Sequence, residues 1–67
     1  MKLEELSVKM LESLLMSTIR IITHYLDELK IFIYSKNTTE MYIISLKIEA
    51  EILNLKDIVK ELDKRGV

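Results

Sequence analysis

From Val8 onward, apolar side chains recur at gaps that strictly alternate three and four: Val8, Leu11, Leu15, Thr18, Ile22, Tyr25, Leu29 and Phe32. That repeat is close to the turn of an α-helix, so these side chains share one stripe, a seam along which a second helix can pack. The pattern lapses once, over Tyr34-Ser35-Lys36-Asn37-Thr38-Thr39-Glu40, and resumes at Met41, Ser45, Ile48, Ile52, Leu55, Val59 and Leu62. Thirteen of the fifteen seam positions are apolar, Tyr included, where a 49% apolar composition would supply about seven by chance. The second seam is out of phase with the first by two residues, and carrying the first register across the lapse would place Asp57 and Lys60 on it. One continuous helix is therefore disfavoured. The chain reads as all-α: a single helical-hairpin domain with antiparallel helices at about 2–35 and 38–65.

The lapse carries turn chemistry. Asn37 suits the N-cap of the second helix, with Glu40 three residues on to complete a capping box. Gly66, behind Lys64 and Arg65, marks the other end as a C-cap. Folding there pairs residues whose numbers sum to 73 or 74: Phe32 with Met41, Leu29 with Ile44 or Ser45, Tyr25 with Ile48, Ile22 with Ile52, Thr18 with Leu55, Leu15 with Val59, and Leu11 with Leu62. The rival is a hairpin of strands over Ile31–Tyr34 and Met41–Ile44, which have β-branched and aromatic compositions. The helical register runs undisturbed into both stretches and favours helix. On these boundaries the first helix is longer by about six residues, and Leu3 and Leu6 overhang the hairpin, to cover the end of a partner's bundle.

Both stripes are wider than one helix–helix contact can cover, since Leu14, Ile19, Ile21, Leu26, Ile33, Ile44 and Ile58 lie beside the seams. At 67 residues without Cys, the chain has a small core and no disulfide to reinforce it, which leaves self-association as the expected reinforcement. Two hairpins pairing into a homodimeric four-helix bundle would cover the flanks. The expected core of that hairpin and dimer is Leu11, Leu15, Ile22, Tyr25, Leu29, Phe32, Met41, Ile48, Ile52, Leu55, Val59 and Leu62.

Charge and motif content narrow the function. Charged residues are 31% of the chain but nearly cancel, to a net charge of −1, which gives no general attraction to nucleic acid or anionic lipid. No apolar run approaches the roughly 20 residues of a membrane span. The start Met1-Lys2-Leu3-Glu4-Glu5 lacks the basic and apolar blocks of a secretory signal, and the expected location is cytoplasmic. The single His, His24, stands one helical turn from Arg20 and from Glu28. It lacks the second His or Cys of ordinary zinc sites and reads as part of a solvated face. Glu49 and Glu51, two apart, point to different faces, and no nucleophile, base and acid can be assembled. The expectation is a protein without enzymatic activity, cofactor or metal. Thr18 and Ser45, the two polar seam residues, can return their hydroxyls to carbonyls one turn back.

The expected occupation is therefore binding. The outer face of the first helix is sparsely charged, and Met16, Arg20, His24, Ile31 and Tyr34 form the candidate surface for a protein partner, with Met10 nearby. The alternative is a nucleic-acid-binding regulator like Rop, the plasmid-encoded RNA-binding protein, which is similar in size and hairpin-dimer plan. Acidic residues interrupt the cations on both helices, where such a surface needs an unbroken row.

Glu28-Leu29-Lys30-Ile31 leading to Asn37, and Lys47-Ile48-Glu49-Ala50-Glu51-Ile52 in the second helix, resemble a small helical-hairpin protein family of spindle-shaped viruses of Sulfolobus. The resemblance covers about half the chain. It implies a homodimeric four-helix bundle in the host cell cytoplasm, serving as an adaptor between macromolecules, and it brings no catalytic or binding residues with it.

Overall fold

Ser7 sets where the first long helix begins. In the computed structural model, which describes residues 2–67, its backbone is extended and its hydroxyl accepts the Met10 N–H at 3.1 Å, an N-cap that opens α1, Val8–Tyr34. Leu6, just before the cap, packs on the cluster containing Leu11, as in a hydrophobic staple. α1 ends because Lys36 adopts a left-handed backbone, φ 57°. The Asn37 N–H then returns to the Phe32 carbonyl at 3.0 Å and the Lys36 N–H to that of Ile33 at 3.2 Å, the bond pair of a Schellman cap.

Asn37 has two jobs. Its backbone closes α1, and its side chain opens α2, Thr38–Lys64, by accepting the Glu40 N–H at 3.2 Å. The expected N-cap is in place, but the Asn37 N–H is already bound to Phe32, so it is not available for the Glu40 carboxylate of a capping box. α2 ends as α1 does: Gly66 takes a φ of 75°, and Gly66 and Val67 donate to the carbonyls of Asp63 and Leu62. Among the described residues there is no strand, and Ile31–Tyr34 and Met41–Ile44 are helical.

The inward face of α1 follows the spacing: Leu11 and Thr18 are buried, while Val8, Leu15, Ile22, Tyr25, Leu29 and Phe32 are half-buried. α2 departs from it. Its inward positions are Met41, Ile44, Ile48, Glu51, Leu55, Ile58 and Leu62, whereas Ser45, Ile52 and Val59 are exposed. The expected pairing of Ile22 with Ile52 and of Leu15 with Val59 thus gives way to contact lines through Glu51 and Ile58. Both sets alternate three and four, and they differ by a small rotation of α2 about its axis. A turn of only three residues, Ser35 to Asn37, leaves that rotation little freedom, and it turns Ile44 and Ile58 inward.

The tightest packing is at the open end of the hairpin, where Leu11, Ile58 and Leu62 form a cluster that Leu3, Leu6, Val8, Leu14 and Leu15 cover. Leu3 and Leu6 do not overhang. Residues Leu3–Glu5 form a 3₁₀ turn that folds back on α2, and α1 and α2 are each 27 residues long. Arg65 holds the turn. Its Nη2 donates to the Leu3 carbonyl at 3.0 Å, its Nη1 to the Leu6 carbonyl, and its Nε to Glu61 at 3.0 Å. Among the described residues no helix is long and apolar enough to cross a membrane.

Candidate interaction surface

Two antiparallel helices side by side present two broad faces, and the sequence dresses them differently. Leu14, Ile21 and Glu28 each precede a seam residue of α1; Glu40, Lys47, Asn54 and Glu61 each precede one of α2. Helical geometry puts both sets on the same broad face. A shallow cleft there is lined by Leu3, Leu14, Thr18, Ile21, Glu51, Asn54 and Ile58. On the same side, Lys47 Nζ sits 6.0 Å from the centre of the Tyr25 ring, a weak cation–π contact. This face is polar over most of α2, and the folded-back Leu3 fills part of it.

The opposite face carries the residues that follow Thr18, Tyr25 and Phe32 on α1, and Ile44, Glu51 and Ile58 on α2. These are Ile19, Leu26 and Ile33, and Ser45, Ile52 and Val59. The antiparallel register, in which facing residues sum to about 73, stacks them in levels: Ile33 alone nearest the turn, then Leu26 beside Ser45, Ile19 beside Ile52, and Glu12 beside Val59 at the open end. Five of the six are large and apolar, and all five are between 41% and 54% exposed. Met16 and Tyr42, also exposed, border the strip. Among the described residues none covers this face.

The surface expected on α1 is accessible and is strung along the outer side of the helix. Tyr34 is 88% exposed, and Ile31 and Met16 are more than half exposed. Arg20 and Met16 line a shallow depression with Lys9, Glu12, Ser13 and Ser17, whereas Ile31 and Tyr34 stand nearer the turn, about 16 to 27 Å along the helix at 1.5 Å per residue. Between them His24 Nε2 meets Glu28 Oε1 at 2.7 Å, with the imidazole largely in solvent. Asp27 and Lys30 approach only to 3.9 Å, also in solvent. Pairs this exposed contribute little stability.

A second stripe went unread in the sequence. Ile43, Leu46, Ala50 and Leu53 are spaced three, four and three, lie on the outward side of α2 and are exposed. The signal was present, since these positions continue the register of α1 across the turn; taking that register as refuted by Asp57 and Lys60 hid its apolar beginning.

The two polar seam hydroxyls, buried Thr18 and exposed Ser45, are both satisfied. Thr18 Oγ1 donates to the Leu14 carbonyl at 2.9 Å and Ser45 Oγ to that of Tyr42 at 2.6 Å, the back-bonds expected of both. Among the described residues no buried side-chain nitrogen or oxygen lacks a partner, and no three His, Cys, Asp or Glu side chains are grouped to hold a metal ion. Comparison with protein-family models, with curated proteins and with solved structures finds no match to this chain.

Proposed function

We propose that this chain is a non-enzymatic protein–protein interaction module, adaptor or regulatory in kind, that works as a homodimeric four-helix bundle. One observation supports the reading above others. Among the described residues the hairpin buries the apolar side chains Leu11, Ile44, Ile58 and Leu62, and it leaves fifteen large apolar side chains more than a third exposed. Scattered exposed apolar residues are ordinary on a protein surface, but here they outnumber the core and line up on helix faces. A chain organised this way gains most of its burial from another molecule. Once two hairpins have paired, the outer faces of α1, with Met16, Ile31 and Tyr34, and of α2 remain to engage a further protein.

Sedimentation equilibrium over micromolar to millimolar concentrations tests the reading. The expected mass is twice the 7.9 kDa of one chain. A monomer that is fully helical and melts sharply throughout that range would overturn it. Retention on heparin, with gel shifts of RNA or DNA abolished by salt, would promote the nucleic-acid alternative.

A further inference from the structure

The exposed apolar side chains are spread over the two broad faces and the outer sides of α1 and α2, and size and charge separate the broad faces from each other and from the stripe of α2. We infer that the broad face built from Ile19, Leu26, Ile33, Ile52 and Val59 is the contact with a second copy of this chain, and that the opposite broad face and the outer stripe of α2 stay outside the dimer. The inference rests on the dimeric reading above and adds which surface forms the dimer.

The first argument is area. The hairpin extends 44 Å along the helices and 18 Å across them, a footprint of about 800 Å² that matches what each partner of a stable complex typically buries. The outer side of α2 is a single helix roughly 10 Å wide, which over all 27 residues offers roughly half that footprint, and its apolar stripe Ile43-Leu46-Ala50-Leu53 spans only about 15 Å of it. It fits an accessory contact, not the one that holds two chains together.

The second argument is charge. On the opposite broad face, Glu28, Glu40, Lys47, Asn54 and Glu61 would be stripped of water by a second copy. Glu61 is already committed to Arg65 at 3.0 Å. Burying such groups without partners is costly. On the proposed face, Ile19, Leu26 and Ile33 of α1 lie alongside Ile52 and Val59 of α2, with Ser45, beside Leu26, and Glu12, beside Val59 at the open end, as its polar members. A two-fold copy laid on this face presents the same apolar levels in return, as an isologous contact requires. Four helices then enclose one core, in which each hairpin contributes its own seam and this flank.

The chain has no native cysteine, so single thiols report burial directly. The variants Leu26→Cys, Ile52→Cys and Leu46→Cys, each shown by sedimentation to keep the parent mass, are reacted with a chromogenic disulfide over a hundredfold range of concentration. The expected result is that the thiols at 26 and 52 react at least tenfold more slowly than that at 46, and that dilution erases the difference. A wild-type monomer at every concentration overturns the dimeric reading, and the face assignment with it. A wild-type dimer in which thiols 26 and 52 react as fast as thiol 46 overturns the face assignment alone. The variant Leu26→Glu supplies a second measurement: a dimer of undiminished affinity would count against the assignment, and a tenfold or greater loss would support it.

Discussion

Lys36 occupies a backbone region that L-residues enter at a cost of about 1–2 kcal/mol, because Cβ crowds the neighbouring carbonyl oxygen. The cost is borne because φ 57° lets two amides cap α1, and because Asn37, next in line, must be free to cap α2. Glycine removes the Cβ at no loss to either cap. Lys36→Gly is therefore expected to stabilise the fold by about 0.5–1 kcal/mol, the loss of unfolded-chain restriction offsetting part of the relieved strain. At fixed protein concentration the melting temperature should rise by a few degrees, whereas Lys36→Val should lower it, a β-branched side chain being least tolerant of this region. Gly66, at φ 75°, already holds the matching position of α2, where a Cβ would touch nothing within 4 Å, so backbone conformation alone selects glycine there.

At the scale of elements, the N-terminal turn departs most from the sequence reading. An unbroken run of helix-compatible residues from Lys2 suggested a longer α1. The competing signals were Ser7, a preferred N-cap, and Leu6 placed to staple against Leu11, but the third helical residue, Met10, is not the Glu or Gln of a capping box. What finally holds the turn is Arg65, almost sixty residues away, and no local pattern announces a contact at that separation. The hairpin itself was legible because a repeat of three and four is imposed by helix geometry, and its turn because Asn37 is a strong cap. The rotation of α2 was not legible. Apolar residues occur at both Ile58 and Val59, and hydrophobicity alone preferred Ile52 to the half-buried Glu51. For the candidate surface, the flank residues Ile19, Leu26 and Ile33 were visible as excess width, but their sharing a face with Ile52 and Val59 required the observed rotation. Arg65 offers the element-scale test. Its guanidinium bridges two carbonyls and a carboxylate whose side chain is 12% exposed, so Arg65→Gln should cost about 1.5–3 kcal/mol, within the range for hydrogen bonds to charged groups. Arg65→Lys should recover only part, since one ammonium lacks the fork that spans all three acceptors. Denaturant midpoints would measure the loss. Hydrogen exchange should show it first at the Leu6 N–H, which donates to Leu3 within the turn.

For the whole molecule, the question is where folding energy comes from when one chain buries so few side chains. A fully buried aliphatic side chain contributes roughly 1.5–3 kcal/mol, while ordering each residue costs roughly 1.5 kcal/mol. Leu11, Ile44, Ile58 and Leu62, with the half-buried seam, leave a hairpin of 67 residues near the margin of stability. On the proposed reading, association supplies what the monomer lacks, and folding and pairing become one equilibrium. Stability then depends on concentration by mass action. For two unfolded chains in equilibrium with one folded dimer, a hundredfold dilution should remove about 2.7 kcal/mol per dimer, or two factors of about 1.4 kcal/mol. Circular dichroism melts at high and low concentration should shift accordingly, with helicity and association lost together. Leu26→Glu should remove most of this concentration dependence by lowering stability toward that of the lone hairpin at every concentration. Leu46→Glu, on the outer stripe of α2, should melt like the parent and keep its concentration dependence. A parent melt that does not move over a hundredfold dilution would mean that the hairpin is stable alone, and its broad apolar face would then be free for a different protein.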